Sequence, residues 1–463
     1  MSIKLSFLGA ARHVTGSKHL LTVGTQRILL DCGLVQGPRR IANEANRHLP
    51  VGPGDVDVVV LSHAHIDHCG ALPRLVKQGF DGAIWCTDGT ADLLRVMLLD
   101  AAKIQVSDAR YLRKHGHDVE PLYDEEDVQK TLRLVRGVPY HHAFEPAPGT
   151  RVEFLDAGHI LGAAIVVIDA ESKGVKRRIV FTGDHGRKHL PILKDPERIP
   201  ACDVLITEST YGDRKHEQLG DMKQQLADIV LEEMQDGGRL LIPAFAVGRT
   251  QNVVLFLGEL MQKGTIPRIP VFVDSPMSQE ATKVMARHPD LFDAETSKLL
   301  REGHHPFYFD GVRYVADVEE SMSLNTMRSG VIVAASGMCE SGRILHHLKQ
   351  SVGRKEDCVL IVGFQADGTL GRKLLDGWDK VKILGDEFDV RCKVRFMPGF
   401  SAHADGDELF AASRHLAATC RNVFVVHGEP KAAEALRNRI EDELDWTAVV
   451  PDMGERIALE PRA

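Results

Sequence analysis

The chain has 463 residues, with 57 Lys and Arg against 65 Asp and Glu, 43% hydrophobic residues and 26% charged. At roughly 150 residues per domain, this length predicts two or three domains, or one elaborate domain carrying a large insert. The net charge of −8 excludes a basic arm that binds polyanions nonspecifically, because such binding scales with the phosphates neutralised; any nucleic-acid contact must be local.

Residues 1–9 read as a first strand and not as a secretory core, since the apolar stretch is interrupted and ends at once on Gly9. Short apolar runs bounded by Gly, Asp and Pro follow at 28–30, 56–61, 165–168, 179–181 and 204–206, with helical patterns at 90–103 and 125–135. Together they predict an α/β layered fold. From 209 the rhythm lengthens: helix 224–234, strand 239–242, helix 250–261, strand 271–273, helix 279–286, strand 331–335. That alternation predicts a separate parallel-sheet unit. Past 391 come strand 393–396, helix 405–417, strand 423–426 and helix 431–444. The eight cysteines are scattered singly, without a C-x-x-C pair, which predicts a reduced, cytoplasmic protein. No apolar run approaches the ~18 residues needed to span a bilayer, so no membrane association is expected.

The segment richest in chemistry is Val58-Val-Val-Leu-Ser-His63-Ala-His65-Ile-Asp67-His68-Cys-Gly70. A buried strand feeds a tight turn with three imidazoles and a carboxylate, at the strand end where α/β proteins place their sites. His63 and His65, two apart, face one way on extended chain; Asp67 and His68, beyond the bend, can serve a second ion. Imidazole and carboxylate are the usual ligands of zinc that keeps an open position. A loop of capping residues is the plainer alternative, but H-x-H-x-D-H has little packing value there. The same strand-end logic selects His159 in Asp156-Ala-Gly-His159-Ile-Leu-Gly162, Asp184 in Thr182-Gly-Asp184-His-Gly186, and His427 in His427-Gly-Glu429. Singly, each reads as a cap or a satisfied histidine; after the first motif they are its expected complement.

These motifs resemble the metallo-β-lactamase superfamily and, within it, the β-CASP nucleases. Asp31 in Leu-Leu-Asp31-Cys-Gly33 matches the first motif, His63, His65, Asp67 and His68 the second, His159 the third and Asp184 the fourth. Glu208 in Thr-Glu208-Ser-Thr-Tyr-Gly212, His403 in Phe-Ser-Ala-His403-Ala-Asp405 and His427 match the branch motifs. Further matches are Pro243-Ala-Phe-Ala-Val-Gly-Arg249, Asp274-Ser-Pro-Met277, Ala335-Ser-Gly-Met-Cys-Glu-Ser-Gly-Arg343 and Gly363-Phe-Gln-Ala-Asp-Gly-Thr-Leu-Gly-Arg372. They resemble the nuclease subunit of the cleavage and polyadenylation specificity factor and its compact prokaryotic relatives.

The resemblance implies a metallo-β-lactamase αββα sandwich made of 1–208 and 392–463, with a β-CASP parallel-sheet domain, 209–391, inserted. Archaeal relatives often carry N-terminal KH domains; this sequence opens directly on its first strand, so their help in binding RNA is expected to be missing. By carry-over, His63, His65 and His159 hold one Zn2+, Asp67, His68 and His427 a second, and Asp184 bridges them. Two such ions make a nucleophile available near neutral pH. Asp31 orients a ligand histidine, and His403, paired with Glu208, is the general acid. Phosphate contacts are expected from backbone N–H groups at two helix starts, near Glu340 after Ser336 and Gly337, and near Arg372 after Gly368 and Thr369. Arg249, Arg343 and Arg372 are the expected local cations. The pairs His141-His142, His304-His305 and His346-His347, as well as His185, Cys32 and Cys69, read as ordinary structural residues. Ala163 stands where relatives often have serine, a minor departure.

The implied activity is a zinc-dependent ribonuclease, endonucleolytic, acting on single-stranded RNA in processing or decay, with the oligomeric state left open, homodimer included. His427 favours RNA over DNA, since DNA-cutting members typically lack this histidine. A 5′-to-3′ exoribonuclease, a noncatalytic RNA-binding subunit and a small-molecule metallo-hydrolase are the alternatives; intact ligands weigh against the second, Glu208 and His403 against the third. The expected insert holds 22 Lys and Arg against 27 Asp and Glu, a net of −5. RNA must therefore be gripped by metal, helix ends and a few arginines.

Overall fold

The computed structural model describes residues 3–459 except 38, 117, 217, 218 and 367. The strands in chain order are β1 (Lys4–Gly9), β2 (Lys18–Val23), β3 (Gln26–Leu30), β4 (Val58–Val60), β5 (Ile84–Thr87), β6 (Val135–Val138), β7 (Thr150–Asp156), β8 (Ala164–Ser172), β9 (Val175–Phe181), β10 (Val204–Thr207), β11 (Arg239–Pro243), β12 (Val271–Val273), β13 (Val312–Tyr314), β14 (Gly330–Ala334), β15 (Cys358–Ile361), β16 (Lys380–Ile383), β17 (Asp386–Asp389), β18 (Lys393–Phe396), β19 (Asn422–Val425), β20 (Ala448–Val449) and β21 (Arg456–Ala458). They fall into two compact units: Met1–Lys188, Asp195–Lys215 and His403–Ala463 form the first, His189–Lys194 and His216–Ala402 the second.

The first unit carries two mixed sheets, ordered β21-β1-β2-β3-β4-β5-β6 and β20-β19-β10-β9-β8-β7. Period-two alternation sends Leu5, Phe7, Leu21, Ile28 and Val60 from one sheet, and Val152, Phe154, Val166, Phe181, Val204 and Phe424 from the other, into one shared core. Helices cover the outer faces. Asp88–Lys114 packs on β5 and β6, and Pro430–Leu444 on β19 and β20. The result is the αββα sandwich. The expected helix at 90–103 runs longer, as Asp88–Lys114: Thr87 caps its start by accepting from Thr90 N, and after Gly89 in its first turn no glycine or proline interrupts it before Gly116. The expected helix at 125–135 stops at Leu134, because Val135 turns extended and pairs with Ile84 as the first residue of β6.

In the second unit, β13-β12-β14-β11-β15-β18 form an all-parallel sheet. Both faces are buried: one set around Leu240, Ile242, Val271, Val331, Phe256 and Leu257, the other around Leu241, Ile332, Val359, Ile361, Ile344 and Leu348. Continuous apolar strands such as β11 and β14 are what a parallel sheet covered twice requires. β18 pairs with β15 from Cys358↔Lys393 to Ile361↔Phe396, so residues 392–402 belong to this unit, whereas 209–215 pack with the first. β16 and β17 form a separate antiparallel hairpin. Among the described residues no helix is long and apolar enough to cross a membrane.

Candidate metal centre

The centre is built in the first unit at the C-terminal ends of β4, β9, β10 and β19. β4 is wholly buried and delivers Leu61-Ser62-His63 directly into the interior, where His63 has no exposed surface. The chain then turns into a four-residue helix, Ile66–Cys69, so that Asp67 and His68 leave the strand direction of His63 and His65. Gly183, at φ +53°, lets Asp184 follow β9 at close range, since a Cβ there would lie 2.5 Å from the Ser62 Cβ. Gly162, at φ +80°, closes the His159 turn against the helix start at Thr90 N, 2.3 Å from an added Cβ.

These turns bring the seven sequence-selected donors into two sets. His63 Nε2 and His159 Nε2 stand 3.1 and 3.2 Å from His65 Nδ1. Asp184 Oδ2 lies 3.3 Å from His63 Nε2 and 3.4 Å from His159 Nε2. In the second set His68 Nε2 is 2.9 Å from His427 Nε2, which lies 3.6 Å from Asp67 Oδ2. The other oxygen of Asp184, Oδ1, faces this set at 3.2 Å from His68 Nε2. A single carboxylate thus presents one oxygen to each group.

The donor chemistry fits metal ions. Two imidazole nitrogens at such a separation can share only one proton, so three nitrogens converging with a carboxylate cannot satisfy one another; a cation among them can. Asp184 Oδ1 is buried without a hydrogen-bond partner, a costly state for a carboxylate oxygen unless a cation faces it. Burial lowers the pKa of His63 and His159, and takes His65 to about 3, which keeps them in the neutral, metal-binding form. For His68 burial pulls down, but Asp184 and Asp31 outweigh it and raise the pKa.

Around the donors lies a layer of orienting groups. Asp31 Oδ2 holds His68 Nδ1 at 2.7 Å, and the same carboxylate accepts from Ser62 N, Ser62 Oγ and Ser17 Oγ. Thr210 Oγ1 lies 3.2 Å from His427 Nδ1. Ser62, Ser17 and Thr210 were not selected from sequence, although Ser62 and Thr210 stand inside the matched motifs. Glu208, fully buried, accepts from His185 N and Thr210 N and holds His403 Nδ1 at 3.0 and 3.1 Å from its two oxygens. Its oxygens are engaged, so Glu208 acts on His403 although it also lies near Asp184 and His427. Burial lowers the His403 pKa, but the charges of Glu208 and Asp184 and the Glu208 hydrogen bond prevail, raising it to about 9. His185 is buried and pushed down to about 4; it contributes a backbone N–H, not a ligand.

The residues expected to contact phosphate lie in the second unit, largely engaged within it. The helix after Ser336 and Gly337 begins at Arg343 and not near Glu340, and Ser336 Oγ accepts from Glu340 N and Ser341 N. Gly337 O accepts from Gln365 Nε2. Thr369 caps the helix Leu370–Leu375 by accepting from Arg372 N, and Leu370 N already donates to the Glu340 carboxylate at 2.7 Å. That carboxylate takes a place expected for phosphate. Gly368, at φ +81°, is exposed beside Asp367, which lies outside the described residues. Arg249 is buried and donates to Val362 O; Arg372 pairs with Asp376 at 2.9 Å.

Arg343 Nη1 lies 2.6 Å from Asp274, a fully buried carboxylate that also holds His347 and Ser321. Removing one partner of a buried pair leaves the other charge short of partners. Arg343→Ala is therefore expected to cost about 2–3 kcal/mol of stability, read as a lower urea midpoint at unchanged m value.

Fold and donor set together define a metal-dependent hydrolase. Residues 26–242 match the beta-lactamase superfamily domain, 250–374 the Beta-Casp domain, and 387–451 the Zn-dependent metallo-hydrolase RNA specificity domain. The chain belongs to the β-CASP branch of the metallo-β-lactamase superfamily. Ribonuclease TTHA0252 of Thermus thermophilus is 36% identical over 431 residues, covering 92% of this chain and 94% of that one. Transcription termination factor FttA of Methanosarcina mazei is 32% identical over 454 residues, 96% of this chain and 69% of that protein. A crystal structure of a protein of unknown function from Enterococcus faecalis V583 shares the fold at a TM-score of 0.56, with 15% identity over 99% of this chain and 100% of that one.

Proposed function

We propose that this hydrolase is a two-zinc ribonuclease that cuts single-stranded RNA endonucleolytically, in processing or decay. The observation that carries it is the His403–Glu208 pair set beside a centre of seven donors, the equipment a phosphodiester cut needs beyond metal alone. The ribonuclease among its relatives supports the substrate class. The proposal includes the division into a sandwich interrupted by a β-CASP insert, bounded near 216 and 402 where 209 and 391 were expected.

In this scheme His63, His65 and His159 hold one zinc, Asp67, His68 and His427 the other, and Asp184 serves both. Bound ions would neutralise phosphodiester charge and lower the pKa of water. Asp31 and Thr210 fix the ring orientations of His68 and His427 through their Nδ1 atoms. Glu208 holds Nδ1 of His403, which leaves Nε2, 3.8 Å from Asp184 Oδ2, as the atom that gives its proton to the departing oxygen.

The proton is present below the His403 pKa and absent above it, so kcat should hold through neutral pH and fall as pH rises through about 9. Glu208→Gln removes the main upward influence while burial still pulls down; the alkaline limb of kcat should move lower by about 1–3 pH units. An unmoved limb would assign it to another group. The mode of cutting is tested with covalently closed circular RNA beside a linear copy. An endonuclease opens the circle; degradation of the linear RNA alone would replace the proposal with 5′-to-3′ trimming.

A further inference from the structure

Lys18, the first residue of β2, is 2% exposed. Its Nζ donates to Gly16 O at 3.2 Å and to Gly33 O. An ammonium taken out of water is costly and is found only where hydrogen bonds repay the desolvation, which here the two carbonyls supply. They belong to turns that underlie one part of the metal centre. Ser17 N donates to Asp67 O at 2.8 Å, Cys32 N to His68 O at 2.7 Å, and Gly33 N back to Ser17 O at 3.0 Å. Gly33 lies so close beneath that a Cβ there would sit 1.6 Å from Asp67 O. At the other end of the first turn Ala10 O accepts from His427 N at 2.7 Å, and Gly9 packs on Gly16 O, 1.9 Å from an added Cβ.

Asp67, His68 and His427 therefore rest on two turns that Lys18 ties together. His159 is held differently: Thr87 Oγ1 and Thr90 Oγ1 donate to Gly162 O at 2.6 and 2.9 Å. We propose that Lys18 is a positioning residue that clamps the 9–17 and 31–33 turns and so sets the metal affinity of the Asp67, His68, His427 group more than that of the His63, His65, His159 group, which the 31–33 turn reaches indirectly, through Asp31, Ser62 and His63 Nδ1. The inference rests on the two-ion reading above.

The test is calorimetric titration of metal-stripped protein with zinc, beside circular dichroism to confirm folding. Wild-type protein should show two binding events. Lys18→Met should weaken one of them about 10–100-fold and the other less, while Lys18→Arg, which keeps a cationic donor, should recover part of the loss. In a His427→Ala background Lys18→Met should change little further; in a His159→Ala background it should weaken the remaining event. If Lys18→Met does not fold, Lys18→Gln carries the same expectation with a smaller shift. Equal weakening of both events, or of neither, in a folded variant overturns the proposal. A wild-type protein that takes up fewer than two ions overturns the two-ion reading instead.

Discussion

His403→Ala should lower kcat on RNA by about 10²–10⁴-fold, the range for loss of a positioned general acid, while the protein still binds two metal ions. The separation of effects follows from geometry. His403 lies outside both donor sets, and its Nδ1 is taken by Glu208. Removing the ring leaves every proposed ligand in place. Burst or single-turnover kinetics with metal analysis check it. Loss of metal in His403→Ala would make His403 a ligand, and unchanged kcat would leave the leaving oxygen to be protonated by water.

Asp184→Ala should instead deplete both ions and abolish cleavage. Its two oxygens face the two sets at 3.2–3.4 Å, and its negative charge is the one that both share. Without it, five imidazoles and Asp67 must hold two divalent cations almost unaided. Elemental analysis after dialysis at fixed free zinc is the readout. Retention of one ion would show that Asp184 serves a single site.

What could be read from the sequence divides along physical lines. The H-x-H-x-D-H turn is legible because its donors are contiguous and follow an apolar strand that can have only a buried end. His159, Asp184 and His427 are legible because each follows a strand and sits beside a glycine, the mark of a tight turn. Asp31 and Glu208 also follow strands, β3 and β10, but neither they nor His403 has a glycine beside it, and the family resemblance alone singled them out. For the arginines the sequence leaves the partner open. Arg343 has its partner 69 residues away in Asp274, and Arg249 spends a guanidinium N–H on Val362 O; no local pattern distinguishes a cation awaiting phosphate from one already paired. Glu340 on Leu370 N, and Lys18 on Gly16 and Gly33, are hidden in the same way. Strand pairing is equally nonlocal: the run at 393–396 looked like the start of the returning sandwich, but its partner is β15. β6 was lost in the helical pattern before it, since two of its four residues are exposed.

The central claim is that RNA cleavage depends on a metal centre formed by these donors. It is tested most directly by stripping the protein of metal, confirming that it remains folded, and assaying a labelled single-stranded RNA before and after zinc is restored. The expected result is no cleavage without metal and recovery of activity as the bound zinc approaches two ions per chain. Full cleavage by the stripped protein, or two bound zinc ions with no cleavage of RNA, would contradict it.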